Sequence, residues 1–322
     1  MIFKKTTYCL TAVLFAGLML STVMLTVGAQ ATQSSDSIGS WEPPKNFVNP
    51  VSAKIQQLKL QGLTNDQITS ELANLGMGWD PDTGATWLGR SLTSQELAQI
   101  PNSGPAQNSS SANTTTQQTI SPLDMSERTA TMRATSYSWT GVSAEITTNS
   151  MLSVSGQTEY NYACLQLGDL DGASNYAETI VMHNAGDTYK WYTNNPNEGG
   201  MIYYMDKNTA SNAADTYVIM LEGTQDSHGW IYDIWINYQW VRSGHLSALW
   251  CQAGGQRELY SVSGQFNNDA SHVIYYRNWL HNAGGWSYWT NSVATRFTSS
   301  SPIHYSNSMG AVSYDWETWI QN

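Results

Sequence analysis

Residues 175–182 read Asn-Tyr-Ala-Glu-Thr-Ile-Val-Met, and this stretch shows the pattern on which the fold of most of the chain depends. Side chains along a β-strand point alternately to opposite faces of a sheet, so residues two positions apart share a face. Glu178 therefore shares a face with Ile180 and Met182. The stretch predicts a strand that carries one acidic side chain among apolar neighbours.

Similar short runs continue to the end of the chain, and no helix-period segment stands out beyond about residue 130. Gly, Asn, Asp and Ser, which favour turns, separate the runs. The runs are Tyr160 to Leu167, Ala177 to Met182, Thr216 to Leu221, Trp230 to Trp240, Val273 to Leu280 and Ala311 to Ile320. This spacing predicts a mainly β domain over residues 130–322, an antiparallel two-sheet sandwich of the jelly-roll kind.

The first 31 residues have the order of a secretory signal peptide. Lys4 and Lys5 precede an apolar run from Cys9 to Val27, and the small residues Ala29 and Ala31 follow it. This order predicts cleavage after Ala31 and a mature chain that is secreted. The run is 19 residues long, close to the length of a membrane span, so an uncleaved anchor at the outer face of the cytoplasmic membrane is the alternative.

The segment between the signal and the β-domain predicts a small helical module. Residues 32–50 are polar and read as an extended leader, whereas apolar residues recur at helix-like intervals over residues 51–76. The pairs Thr64/Gln67 and Thr93/Glu96 resemble capping boxes, which mark helix starts. We therefore expect a helical hairpin and a further short helix within residues 51–101, resembling a pro-segment.

Residues 102–129 form a polar linker, and positions 102–122 contain almost no apolar side chains. A segment of this composition cannot bury much surface, so we expect the module of residues 51–101 to lie apart from the sandwich core. Exposed linkers of this kind are preferred sites of proteolysis.

The composition excludes several kinds of partner. The chain has 14 Lys and Arg against 25 Asp and Glu, a net charge of −11, so a nucleic acid backbone would repel it. A membrane is expected as a partner only if the N-terminal segment stays uncleaved. The chain has 14 Trp and 18 Tyr but 5 Phe, so most of its aromatic side chains carry a polar group.

Most catalytic signatures are absent from the sequence, including phosphate-binding loops, the H-E-x-x-H zinc motif and the G-x-S-x-G nucleophile elbow. No two histidines are spaced two or four apart, so the sequence predicts neither a metal site nor a cofactor. The histidines are His183, His228, His245, His272, His281 and His304. Two carboxyl groups remain as candidates, because one ionised and one protonated acid suffice for hydrolysis.

Three glutamates stand in strand-like runs. Glu178 shares a face with apolar residues, and Glu258 shares one with Tyr260. A carboxylate with such neighbours is costly unless it has a partner or a task. Glu317 follows the ordinary alternation of a last strand, and we expect it to be solvated.

The order of landmarks over about residues 137–290 resembles the neprosin family, which are secreted glutamic peptidases with an N-terminal pro-region and a C-terminal β-sandwich. Gly141 to Ile146 is similar to the family's opening Gly-Ala-x-Ala-x-Ile strand, and Asn175 to Met182 to the stretch with its first catalytic Glu. Trp230 to Gly244 resembles its tryptophan-rich strand pair, and Gln256 to Tyr260 stands at its Gly-Gly-Glu-Val. The resemblance implies Glu178 and Glu258 as the catalytic pair.

Two further expectations concern neighbours of these acids. Arg257 replaces a family glycine beside Glu258, and an adjacent guanidinium would favour the ionised form of that acid and the role of base. Cys164 and Cys251 are the two cysteines left after signal removal, so we expect them to form a disulfide in an oxidising compartment.

These observations favour a secreted acid endopeptidase whose module covers the groove until the linker is cut, with a polypeptide as substrate. The alternative is a non-enzymatic cell-surface sandwich whose Trp and Tyr residues bind carbohydrate or another envelope protein. A third interpretation is a glycoside hydrolase, which would use the same pair of acids.

Overall fold

The computed structural model describes residues 41–101, 104–106, 125–148, 151–153, 156–184, 189–207, 214–269, 272–309 and 314–322. The predicted signal peptide, the first part of the leader and most of the linker lie outside these ranges. Within them, no helix is long and apolar enough to cross a membrane.

Strands dominate the described residues, which confirms the predicted mainly β fold class. The described helices are α1 (Pro50–Leu60), α2 (Asn65–Asn74) and α3 (Ser94–Leu97). The first nine described strands are β1 (Met77–Trp79), β2 (Thr86–Leu88), β3 (Arg90–Ser91), β4 (Ser126–Ala134), β5 (Gly141–Ile146), β6 (Tyr160–Asp169), β7 (Asn175–Asn184), β8 (Tyr189–Asn195) and β9 (Gly200–Lys207). The next nine are β10 (Asp215–Gln225), β11 (Trp230–Ile236), β12 (Gln239–Leu246), β13 (Gln252–Ser261), β14 (Val273–Asn282), β15 (Gly285–Tyr288), β16 (Thr295–Ser299), β17 (Ile303–Met309) and β18 (Tyr314–Ile320).

The strands of the described ranges form two antiparallel sheets. The first sheet has the order β1-β2-β12-β11-β10-β5-β14-β18-β17, with β15 paired to β14. The second sheet has the order β16-β4-β13-β6-β7-β8-β9-β3. Consecutive strands pair as hairpins in runs such as β6-β7-β8-β9 and β10-β11-β12, while pairs such as β4-β13 and β5-β14 join distant parts of the chain. Local hairpins and long-range pairing therefore both hold the sandwich together.

The core between the two sheets is rich in Tyr and Trp. Tyr217, Tyr275 and Trp289 are fully buried there. Their polar groups are satisfied: the Tyr217 hydroxyl accepts a hydrogen bond from Trp191 Nε1 at 2.9 Å, and the Tyr275 hydroxyl donates to the Gln256 carbonyl at 2.6 Å. Buried aromatic side chains of this kind contribute large apolar area and need such partners.

The run from Trp230 to Trp240 alternates without a break, but it contains β11, a turn and the start of β12, in agreement with the strand pair expected over Trp230 to Gly244. Asn237 and Tyr238 form its turn with φ of 49° and 64°. Two successive residues with positive φ give the turn whose twist matches that of a two-stranded ribbon. Tyrosine is not among the residues that mark turns in a sequence. The alternation of residues therefore appears continuous across Asn237 and Tyr238.

The predicted helical hairpin and both capping boxes are confirmed. The Thr64 side chain accepts a hydrogen bond from the Gln67 amide and the Gln67 side chain accepts one from the Thr64 amide, while Thr93 and Glu96 do the same at α3. The apolar faces of α1 and α2 pack on the outer face of the first sheet, in one cluster with residues such as Trp235.

The module of residues 51–101 was expected to lie apart from the sandwich core, but its strands join both sheets. Its strands β1 and β2 extend the first sheet through β12, and β3 pairs with β9 at the edge of the second. Strands of two or three residues are too short for the alternation to be visible in a sequence. The second sheet also begins earlier than expected, because β4 starts at Ser126, inside the predicted linker.

Candidate active site

The two predicted acids lie on the outer face of the second sheet. Glu178 on β7 and Glu258 on β13 are separated by β6, whose Gln166 stands opposite Glu178 and whose Tyr162 stands opposite Glu258. Alternate residues of these strands face the core, so the acids point away from it. Both are nevertheless completely buried, at 0% exposure. Another part of the chain must therefore cover this face.

Glu178 is held by two side-chain amides. Gln166 Nε2 donates a hydrogen bond to its Oε1 at 2.8 Å, and Asn194 Nδ2 donates to its Oε2 at 3.2 Å. Asn194 lies opposite Glu178 on β8, just as Gln166 lies opposite it on β6. Each oxygen of the Glu178 carboxyl therefore accepts a hydrogen bond from an amide N–H.

Glu258 has a different environment. Gln256 Nε2 donates to its Oε1 at 2.6 Å, the Tyr260 hydroxyl donates to its Oε2 at 2.8 Å, and the Cys164 thiol lies 3.8 Å from Oε1. Burial holds the pKa of the Glu258 carboxyl well above its usual range, and the negative charge of Glu178 raises it further. Both effects favour the protonated form of the Glu258 carboxyl.

The two carboxyls are close enough to act together. A carboxylate oxygen from each and the Cys164 sulfur all lie within 4.8 Å of one another. Two negative charges at this distance in a dry site are strongly disfavoured, so the pair holds one proton between them.

This group of three has the composition of a metal site, but its hydrogen bonding favours a proton instead. Both oxygens of each carboxyl already accept hydrogen bonds, from Gln166 and Asn194 at Glu178 and from Gln256 and Tyr260 at Glu258. Burial also raises the pKa of the Cys164 thiol well above its usual value, which favours the thiol over the thiolate form.

The backbone of residues 99–101 and 104–106 covers the acid pair. The Gln256 side chain donates to the Gly104 carbonyl at 2.6 Å and accepts from the Ala106 amide at 2.8 Å. Upstream, the Tyr162 hydroxyl donates to the Pro101 carbonyl at 3.1 Å. Gln256 therefore holds the Glu258 carboxyl and also binds the main chain of residues 104–106.

The backbone approaches the sheet most closely at Gly104. A Cβ atom at this position would come within 2.8 Å of the Tyr176 hydroxyl, closer than real Cβ contacts allow. Tyr176 is on β7, two residues before Glu178 and on the same face. A glycine at position 104 therefore lets the main chain lie against the site.

The expected role of Arg257 is wrong. Its guanidinium points into the core and contacts Asp269 through two bonds, of 2.6 and 2.8 Å. Adjacent residues of a strand face opposite sides of a sheet, so Arg257 and Glu258 cannot pair. The Arg257 guanidinium therefore does not offset the burial that raises the pKa of the Glu258 carboxyl.

The predicted disulfide is also wrong, because Cys164 and Cys251 are both free and buried. Cys164 stands opposite Gln256, and Cys251 precedes that residue by five positions. At about 3.3 Å per residue the two cysteines are about 16 Å apart along the sheet. A disulfide requires Cα atoms within about 7 Å, so the bridge cannot form.

Glu317 lies away from this site, on β18 of the first sheet. Its carboxyl contacts His272 Nδ1 at 2.8 Å and accepts from the Ser306 hydroxyl at 2.5 Å. Its side chain is 32% exposed, so the expectation of a largely solvated acid holds in part.

Sequence reasoning missed Gln166, Asn194 and Gln256, whose amides hold the acids. Gln256 was detectable because it is two residues from Glu258 and shares its face. Gln166 and Asn194 contact Glu178 only through strand pairing, and the register of that pairing is not visible in one sequence.

No protein-family model matches the chain, and no curated protein matches it. Among solved structures, scytalido-glutamic peptidase with a transition state analog inhibitor is similar, at 12% identity over 61% of this chain and 100% of that chain, with a TM-score of 0.45. SCP-B, a member of the eqolisin family of peptidases in a complex with the tripeptide Ala-Ile-His, has 12% identity over 62% of this chain and 100% of that chain, with a TM-score of 0.40. A β-glucanase of Bacillus licheniformis has 8% identity over 59% of this chain and 70% of that chain, with a TM-score of 0.26.

Proposed function

We propose that this protein is a secreted glutamic endopeptidase, which hydrolyses peptide bonds at acid pH with Glu178 as general base and Glu258 as general acid. The observation that carries the proposal is the pair of buried carboxyls, within 4.8 Å of each other and beneath the chain's own backbone. The two acids have different surroundings, which is the arrangement that divides the tasks of base and acid.

In the first step a water between the carboxyls loses a proton to Glu178, and its oxygen attacks the carbonyl carbon of the substrate. Glu258 gives its proton to the carbonyl oxygen, so a neutral tetrahedral diol forms. In the second step Glu178 returns its proton to the leaving nitrogen as the C–N bond breaks. Glu258 takes a proton from one diol hydroxyl, which restores both acids to their starting states.

Gln256 supplies the contact that would place a polypeptide over the acids. Its side-chain amide binds the Gly104 carbonyl and the Ala106 N–H, as a neighbouring strand would. Contacts of this kind use only main-chain atoms, so they suit peptides of many sequences. The acids can then act on a bond of the bound strand.

The same contacts support a zymogen. In the full chain residues 104–106 occupy the place above the acids, so a substrate cannot enter. A cut at residues 107–124 gives this covering segment a free end, while α1 and α2 remain packed on the first sheet. The module then acts as a pro-segment whose covering part leaves the groove.

The burial of the aromatic residues weakens the carbohydrate-binding alternative. Among the described residues, the large aromatic side chains that count as exposed are Tyr137 and Trp250, at 47% and 42%. Stacking on sugar rings needs an open aromatic face. Most of the Trp and Tyr content lies instead in the core or in partly covered positions.

We expect the protein, nicked in the linker, to digest unfolded casein in the acid part of the range from about pH 3 to 8. Activity should fall as the pH rises through the raised pKa of Glu258, because Glu258 then loses the proton that it must donate. It should also fall at the acid end, where Glu178 takes a proton and is no longer a base. Initial rates across this range test the proposal, and intact casein at every pH would contradict it.

Limited proteolysis of the full chain should cut within residues 107–124 and leave two fragments that elute together on gel filtration at neutral pH. The N-terminal fragment should stay bound because α1 and α2 share a hydrophobic cluster with the first sheet and β2 pairs with β12. A denaturing gel identifies the two fragments. Separate elution would show that the module is held mainly by its covalent link.

A further inference from the structure

Three side chains with metal-binding groups meet at one end of the first sheet, on strands that do not carry the acid pair. Asp226 and His228 belong to the turn between β10 and β11, and His245 is on the neighbouring strand β12. One carboxylate oxygen and one ring nitrogen from each histidine all lie within 4.8 Å of one another. His245 Nε2 is 3.1 Å from Asp226 Oδ2, close to the roughly 3.3 Å edge of a tetrahedron with bonds of about 2.0 Å.

A buried carboxylate fixes the orientation of His245. Glu198 Oε1 lies 2.6 Å from His245 Nδ1, and its Oε2 accepts from the His245 backbone amide at 2.7 Å and from Asn195 at 3.0 Å. Nδ1 is thereby engaged, and Nε2 is directed at Asp226. Metal-bound histidines have this arrangement, in which a carboxylate binds the ring nitrogen that does not face the ion.

The turn that carries the other two groups is preformed. The His228 backbone amide donates to Asp226 Oδ1 at 2.7 Å, and the Asp226 amide donates to the Gly229 carbonyl at 3.0 Å. His228 is partly exposed, with a ring nitrogen 3.7 Å from Asp226, so a rotation of its side chain brings this nitrogen into the same tetrahedron.

We propose that Asp226, His228 and His245 form a site for Zn²⁺ or a similar divalent transition metal ion, with Glu198 as the carboxylate behind His245. Two imidazoles and one carboxylate are a ligand set typical of zinc, whereas Ca²⁺ and Mg²⁺ prefer oxygen ligands alone. Three protein ligands leave a fourth position open to water.

The module borders this site. A Cβ on Gly84, in the turn between β1 and β2, would lie 3.8 Å from His228 Nδ1 and from His245 Cε1. The bound ion therefore joins the β10–β11 turn to β12 at the place where the module adds its strands to the first sheet. This site is independent of the proposed peptidase activity, because none of its residues contacts the acid pair.

The test is equilibrium dialysis of the full chain, stripped with a chelator, against Zn²⁺ alone at about pH 7. We expect one ion per chain and a rise in the thermal unfolding midpoint with Zn²⁺. His228→Gln and Asp226→Asn each remove one metal ligand, and both side chains are partly exposed. Each substitution should weaken Zn²⁺ binding by at least about 100-fold, because loss of a residue that only supports a ligand already costs up to about 100-fold.

His304→Gln, at an exposed histidine on β17, is the matched control and should bind Zn²⁺ as the wild type does. Glu178→Gln should also bind normally, which separates this site from the acid pair. Absence of Zn²⁺ binding in the wild type, or equal binding in His228→Gln and Asp226→Asn, would overturn the proposal and leave the cluster as an ion pair of His245 with two carboxylates.

Discussion

Glu178→Gln and Glu258→Gln should each lower the rate of casein cleavage by the nicked protein by about 10²- to 10⁴-fold, the range assigned to general acid–base catalysis. Glutamine keeps the shape of each side chain and its carbonyl acceptor. It can neither take a proton from water in place of Glu178 nor supply an acidic proton in place of Glu258.

Both variants should remain folded, because each replaces one of two like acids in a buried site with a neutral group. Thermal unfolding of each variant beside the wild type checks this point. Glu317→Gln is the matched control, since Glu317 is on the other sheet and bonds to His272 and Ser306 instead. Wild-type rates in both site variants would remove the acid pair from the mechanism.

The largest effect on stability is expected for Asp269→Ala. Asp269 and Arg257 are 1% and 0% exposed and are joined by two hydrogen bonds. Removal of the aspartate leaves a buried guanidinium without its charge partner, which typically costs about 3 to 5 kcal/mol. Urea denaturation of variant and wild type measures the difference in the free energy of unfolding.

Arg90→Ala is the control for that measurement. Arg90 and Glu96 form an ion pair of similar length, 2.6 Å, but their side chains are 51% and 33% exposed. Solvent screens such a pair, so its loss should change the free energy of unfolding by less than about 1 kcal/mol. Equal effects of the two substitutions would show that burial of the Arg257 pair contributes nothing.

The strands could be predicted wherever one face is buried over several residues. β6, β7 and β14 begin within two residues of the predicted runs, because the alternation repeats long enough to be seen. The position of the β11–β12 turn was missed because Tyr238 adopts a positive φ that its residue type does not indicate. β1 to β3 were missed because their stability comes from the sheets they join.

The site could be predicted only in part, for a related reason. Periodicity places Glu178 and Glu258 each on a defined face of its own strand, but only the pairing register through β6 brings the two faces together. The same register separates Cys164 from Cys251. His228 and His245 escaped notice because their separation follows no helix or strand period, and a turn beside β12 unites them.

The most direct measurement is the rate of casein cleavage at about pH 4 by the nicked wild type and by the nicked double variant Glu178→Gln/Glu258→Gln, prepared identically. Residues that act as one catalytic unit are not additive, so the double variant should be about as inactive as either single variant. We expect fragments from the wild type and intact casein from the double variant. Intact casein in both samples, or equal cleavage in both, would contradict a peptidase built on these two acids.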